Sequence, residues 1–107
     1  MSDLVRKLTE GDHLVEARMG PEKTIEGFKA ALDRGYVNVR FAASRGGTQL
    51  GFKVDKRLSD LTGADFDQRS GTVKICGDLT LDYERVRCVA EIELSTLSGR
   101  GHLELLS

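Results

Sequence analysis

The sequence predicts an α+β fold: a short N-terminal helix, a strand and an amphipathic helix, then a strongly curved antiparallel sheet with the helix packed on one face. Three observations carry that class. Ile25, Phe28 and Leu32 recur at i, i+3 and i+7, the spacing of one helix face. Apolar residues alternate with polar ones across residues 36–54, and again across 73–105, the period of half-buried strands. Glycines fall inside or beside those strands at Gly51, Gly77, Gly99 and Gly101, where they mark bends, bulges or close backbone approach.

At the N-terminus, Ser2-Asp3 precedes Leu4, Val5 and Leu8, and Gly11 follows, which reads as a short capped helix. Residues 12–19 then alternate as a strand, with Val15, Ala17 and Met19 on one face and Glu16 and Arg18 on the other. In the main helix Pro21 suits the first turn and Gly35 the position just past the end. Its second face carries Glu22, Lys23, Glu26, Lys29 and Asp33.

Residues 36–54 predict a hairpin about the loop Ser44-Arg45-Gly46-Gly47. The expected pairs are Phe41 with Leu50, Val39 with Phe52 and Val37 with Val54. A meander follows. With Asp82–Arg85 as its first turn, Leu79 pairs Cys88, Ile75 pairs Ile92, Cys76 meets Glu91 and Asp78 meets Val89. With 95–98 as the second turn, Ile92 faces Gly101, Cys88 faces Leu105, Glu93 faces Arg100 and Glu91 faces His102. A one-residue slip would send every apolar side chain to the wrong face, which is the argument for this register. The last strand, HLELLS, has no lysine or proline to protect it and reads as an exposed edge.

By parity Cys88 points into the core and Cys76 points out beside Glu91. Side chains on opposite faces of one sheet cannot form a disulfide, so both thiols are expected free and unreactive, Cys88 as a small core hydrophobe. The resulting outline, α-β-α-ββ-βββ, is shared by hotdog-like and cystatin-like folds; the analogy is one of fold and licenses no function.

The bulk composition narrows the function classes. The 107 residues make one domain, 1–107, large enough for a core of its own. Sixteen basic and 17 acidic residues give a net charge of −1, and no third of the chain is strongly basic. Nucleic-acid binding, which needs a positive face, is therefore disfavoured. The N-terminus interleaves charges with leucines, and no apolar run approaches a membrane span, so a cytoplasmic protein without membrane contact is expected.

Motifs for chemistry are thin. His13 and Glu16 point to opposite faces of a strand, and a chain with two histidines offers few ligands for a metal. Glu91 and His102 share a face with no nucleophile or oxyanion donor beside them. Asp65-Phe66-Asp67 is followed by Gln68-Arg69, which breaks a calcium-loop pattern and reads as an acidic turn. No catalytic, cofactor or metal residue is assigned. The anomaly is the 17-residue connection 55–71, DKRLSDLTGADFDQRSG, which has no clear period; such connections carry function or cover a sheet edge. The binding candidates are Arg40 and Lys53 on the first hairpin, Lys56 and Arg57 at the head of that connection, and Glu91 and His102 on the meander. These observations suggest a non-catalytic binding or accessory module, a homodimer acting through protein contacts. The alternative is a small-molecule-binding protein or hotdog-like enzyme with a ligand between helix and sheet.

Overall fold

The computed structural model describes residues 2–18, 24–42 and 47–106. Helix α1, Asp3–Thr9, starts where Ser2 Oγ accepts the Val5 N–H at 3.1 Å, satisfying one of the donors a helix start leaves open. Strand β1 is His13–Arg18. Helix α2, Ile25–Arg34, is capped by Thr24, whose hydroxyl accepts the Gly27 N–H at 3.0 Å. The expectation that Pro21 begins this helix lies outside the described residues, as do Met19, Glu22 and Lys23. Gly35 ends α2 in the left-handed region (φ 81°), donating to the carbonyls of Ala31 and Leu32. That is the C′ role expected from its place in the sequence.

Six further strands follow: β2 Tyr36–Phe41, β3 Thr48–Lys53, β4 Ala64–Asp65, β5 Ser70–Leu81, β6 Glu84–Glu93 and β7 Ser98–Leu105. All pairings are antiparallel, in the order β3-β2-β1-β7-β6-β5-β4, and the sheet remains open. The inward residues of the strands form one apolar cluster with Val5 and Leu8 of α1 and Phe28, Ala31 and Leu32 of α2. Both helices thus bury the stripe that their periodicity sets aside, and Glu26, Lys29 and Asp33 of α2 are exposed.

The faces are as expected, but the registers are not. Each of the three expected hairpins is offset by two residues. Val37 pairs Phe52 and Val39 pairs Leu50; Ile75 pairs Ala90, Cys76 pairs Val89 and Asp78 pairs Arg87; Ile92 pairs Gly99, Cys88 pairs Leu103, Val89 pairs His102 and Glu91 pairs Arg100. A two-residue slip leaves every side chain on its own face, so alternation cannot detect it. Turn geometry decides instead. The β5–β6 hairpin closes on the two residues Asp82-Tyr83, both with positive φ (49° and 68°), the turn whose twist matches that of its strands. The tighter turn also sets Asp78 against Arg87, Nε to Oδ1 2.9 Å, where the looser one would have faced it with valine. The β6–β7 turn is 94–97, not 95–98, and it buries Leu94 and Leu97.

Tyr83 holds a left-handed backbone while its side chain is fully exposed. Tyr83→Gly is therefore expected to raise stability by about 0.5 kcal/mol. It relieves roughly 1–2 kcal/mol of backbone strain and gives up roughly 0.5–1 kcal/mol to chain entropy. A higher urea midpoint at unchanged slope checks it; a lower midpoint contradicts the turn.

The last strand is not a sheet edge. β7 lies between β6 and β1, with His13 opposite Gly101 and Glu16 opposite Ser98. Leu105, expected inward, pairs with Val86 yet is 42% exposed. The strand that needs protection is β5, and the long connection supplies it. Asp60 and Lys74 exchange two backbone hydrogen bonds of 2.8 Å, the Asp55 N–H donates to the Cys76 carbonyl at 2.7 Å, and Thr72 N–H donates to the Gly63 carbonyl at 3.3 Å. Ser59 Oγ accepts the Cys76 N–H at 3.0 Å, and β4 pairs with Ser70 and Gly71. A strap of this kind removes the open donors and acceptors through which edge strands aggregate. Within it, the Asp60 carboxylate is held below the usual range by the Thr62 hydroxyl and N–H. Asp65 Oδ1 accepts the Gln68 N–H, an acidic turn as the sequence suggests.

Candidate functional site: the outer sheet face

The side chains that point away from the apolar cluster form a charged lattice over β5, β6 and β7. One row is Lys74, Glu91 and Arg100; four residues along, another is Asp78, Arg87 and Glu104; midway between them lie Cys76, Val89 and His102. Opposite charges thus stand side by side in both rows, the favourable cross-strand arrangement. Arg87 bonds Asp78, and that hydrogen bond moves its guanidinium further above its ordinary range.

His102 occupies the middle row between two acids. Its Nδ1 is 3.2 Å from Asp12 Oδ1 and its Nε2 is 3.2 Å from Glu104 Oε2. Carboxylates only accept, so a protonated ring donates to both and a neutral ring to one. With Asp12, Val89, Glu91 and Arg100, His102 lines a depression of about 90 Å³. Glu91 itself stands opposite Arg100 rather than His102, a consequence of the two-residue offset.

The six sequence candidates fall in three places. Glu91 and His102 belong to this lattice. Lys53, Lys56 and Arg57 line one open groove of about 480 Å³ with Val54, Asp55 and Asp78. Its positive charge is moderated by Asp55, which lies 3.8 Å from Arg57 Nε, and by Asp78. Arg40 sits elsewhere on the outer face, on β2, 3.5 Å from Glu16. The sequence pattern also sets Glu104 on the face of His102, and the structure brings the two together. Sequence reasoning missed Asp12, Asp78 and Arg87, and the signal for the last two is opposite charge across neighbouring strands, readable once the turn is placed correctly.

Cys76 requires a correction. Its parity is outward, but it is 3% exposed, and it faces Val89 rather than Glu91. Its backbone carries the strap, and Lys74, Arg87 and Glu104 stand close enough to act on its thiol. Burial pushes that thiol up, with Lys74 opposing. Burial pushes Cys88 up to about 12 from 9.0. Both thiols are free. Alkylation of the native protein should therefore leave both cysteines unlabelled, and unfolding in urea should yield two labels by mass; rapid native labelling of Cys76 contradicts its burial.

The same shift gives a pH dependence. A folded pKa raised above the unfolded one contributes stability below about pH 9, and the contribution is lost as pH rises toward 12. At pH 10 the Cys88 thiol alone should cost about 1.4 kcal/mol relative to pH 8. The stability of the natural chain relative to Cys88→Ala, measured by urea melts, should fall by that amount between pH 8 and 10, enough to close a gap of about 1 kcal/mol and slightly reverse it; a constant gap contradicts it.

Among the described residues, no group of three or more His, Cys, Asp and Glu side chains could hold a metal ion, and no helix is long and apolar enough to cross a membrane. No protein-family model matches the chain, and no curated protein matches its sequence.

Proposed function

We propose that this protein is a cytoplasmic, non-catalytic binding or accessory module that works through protein–protein contacts as a homodimer, using the outer sheet face and the strap over 55–71. The observation that carries the reading is the division of its polar groups. Among the described residues every buried side chain is apolar or a cysteine, so the groups able to recognise anything lie on the surface, chiefly as the lattice of the outer face. A catalytic site needs reactive groups withdrawn from water and converging on one point. We further read the sheet as strongly curved, since Gly77 of β5 lies against the Lys53 carbonyl and the Phe52 ring of β3, five strands away along the sheet.

A second reading is favoured by one observation. A groove of about 410 Å³ runs between α2 and the strap, lined by Leu32, Val54 and Leu61 with Asp33, Lys56 and Ser59, a mix of apolar wall and few polar groups that suits a small ligand.

Native mass spectrometry of gently purified protein separates the two. The binding module predicts species at multiples of the 11.8 kDa chain mass with nothing bound. A retained mass of a few hundred daltons, lost on Leu61→Lys, would overturn it in favour of the ligand reading.

A further inference from the structure

We infer that the outer face is self-complementary: a second copy of this chain docks on it about a two-fold axis lying along the row Cys76–Val89–His102. The inference rests on the self-association in the reading above and gives it a surface and a geometry.

The signs of the outward charges repeat along all three strands. Along β5 the outward residues run Lys74, Cys76, Asp78, positive to negative. Along β6 the order of Arg87, Val89 and Glu91 is also positive to negative, and so is Arg100, His102 and Glu104 along β7. Because the strands alternate in direction, the two flanking rows are +, −, + and −, +, −. Cross-strand pairing within the chain requires alternation inside each row. It does not require the second row to invert the first, since two identical rows would satisfy every neighbour equally well.

Inversion has a consequence for a symmetric dimer. A two-fold axis in the interface, running across the strands through the middle row, carries each row onto the other and leaves each strand over its own counterpart. In an isologous contact, if one residue touches a second, the second touches the first in the partner. Lys74 then faces the partner's Asp78, Arg87 faces the partner's Glu91, and Arg100 faces the partner's Glu104. Each of these six charges meets its opposite, and each contact occurs twice. Arg85 and Glu93, one step further out on the same face of β6, obey the same rule. The middle row is the part of the face with the least fixed charge: Cys76 is buried, Val89 is apolar and His102 is held by its two acids.

The geometry permits it. Each charged row lies two residues, about 6.6 Å, from the axis. Twisted sheets packed face to face cross at about 30°, which displaces facing side chains by roughly 3 Å, within the reach of arginine, lysine and glutamate. The contacts are exposed ion pairs, so the association is weak and salt-sensitive.

Charge swapping tests this directly. Sedimentation velocity at 10–500 µM, a range chosen to span weak affinity, should show the natural chain as a monomer–dimer equilibrium at low salt, weakened about tenfold or more by 0.5 M NaCl. Arg87→Glu alone and Glu91→Arg alone should each be monomeric, because like charges then face across the axis. An equimolar mixture of the two variants should recover the dimer, since each cation again meets an anion. Melting curves check that both variants fold; should either fail, Arg100→Glu and Glu104→Arg form an equivalent pair. A dimer indifferent to the substitutions would overturn this surface while leaving self-association standing. A mixture that stays monomeric would overturn the axis. A natural chain that is monomeric throughout at low salt would overturn both the inference and the homodimer, but not the proposal of a binding module for another protein.

Discussion

Cys88→Asp is expected to unfold the domain at ambient temperature or to leave it barely folded. Cys88 is fully buried on β6 between Gly77 and Leu103, within a cluster of apolar side chains. Burial already pushes its thiol to about 12, so the site strongly resists a negative charge. A carboxylate there must remain charged without a partner or take up a proton at neutral pH, and either course costs at least about 3 kcal/mol. Most small domains possess only about 5–15 kcal/mol in total. Cys88→Ala removes a single buried atom and should cost about 1 kcal/mol. Cys76→Asp is the informative contrast: it is also buried, but Lys74 and Arg87 favour a negative charge there, partly offset by Glu104 and Asp55, and it should lose less stability than Cys88→Asp. Equal melting midpoints for the two aspartate variants would contradict the assignment of faces.

The second large effect is expected at Gly77. A Cβ built there meets the carbonyl oxygen of Lys53 and the ring of Phe52 in hard overlap. The backbone of β3 cannot withdraw freely, because Val54 N–H is bonded to the Gly35 carbonyl and Asp55 N–H to the Cys76 carbonyl. Gly77→Ala should therefore cost at least about 2 kcal/mol despite the gain in unfolded-chain entropy, and Gly77→Val more. The loss should be accompanied by native-state labelling of Cys76, as the start of the strap lifts from β5. Unchanged stability for Gly77→Val would mean that β3 does not approach β5.

Much of this architecture was legible from periodicity. The stripe on α2, the alternation of the strands and the C′ glycine at Gly35 each follow from one local rule, and the structure follows them. What periodicity could not supply was register. A period-two pattern is blind to a two-residue shift, and the deciding features were a left-handed Asp82-Tyr83 turn, which lacks the usual glycine, and the leucines folded into turn 94–97. Tyr83 and the two leucines are poor turn residues by composition, so the sequence points to looser turns. The register error carried into the candidate site: it set Glu91 against His102, and it concealed Asp78–Arg87. The strap stands out in the sequence as a long connection without a period, but the sequence cannot place it, because its hydrogen bonds run to a strand edge that only the three-dimensional order of strands defines. For the same reason β7 read as an edge, although β1, nearly 90 residues earlier in the chain, lies beside it.

The outer face exists in the form described only if Cys76 stands opposite Val89. Cys76 directs its N–H and carbonyl to the strap, so Cys76 and Val89 form a pair without hydrogen bonds between them, the arrangement in which facing Cα atoms approach most closely, about 4.5 Å. A nuclear Overhauser spectrum of the protein in heavy water should then show strong Hα–Hα contacts for Lys74 with Glu91, Cys76 with Val89 and Asp78 with Arg87. Contacts of Cys76 with Glu91 and Asp78 with Val89 in their place would contradict the register, and with it the charge lattice on which the proposed surface depends.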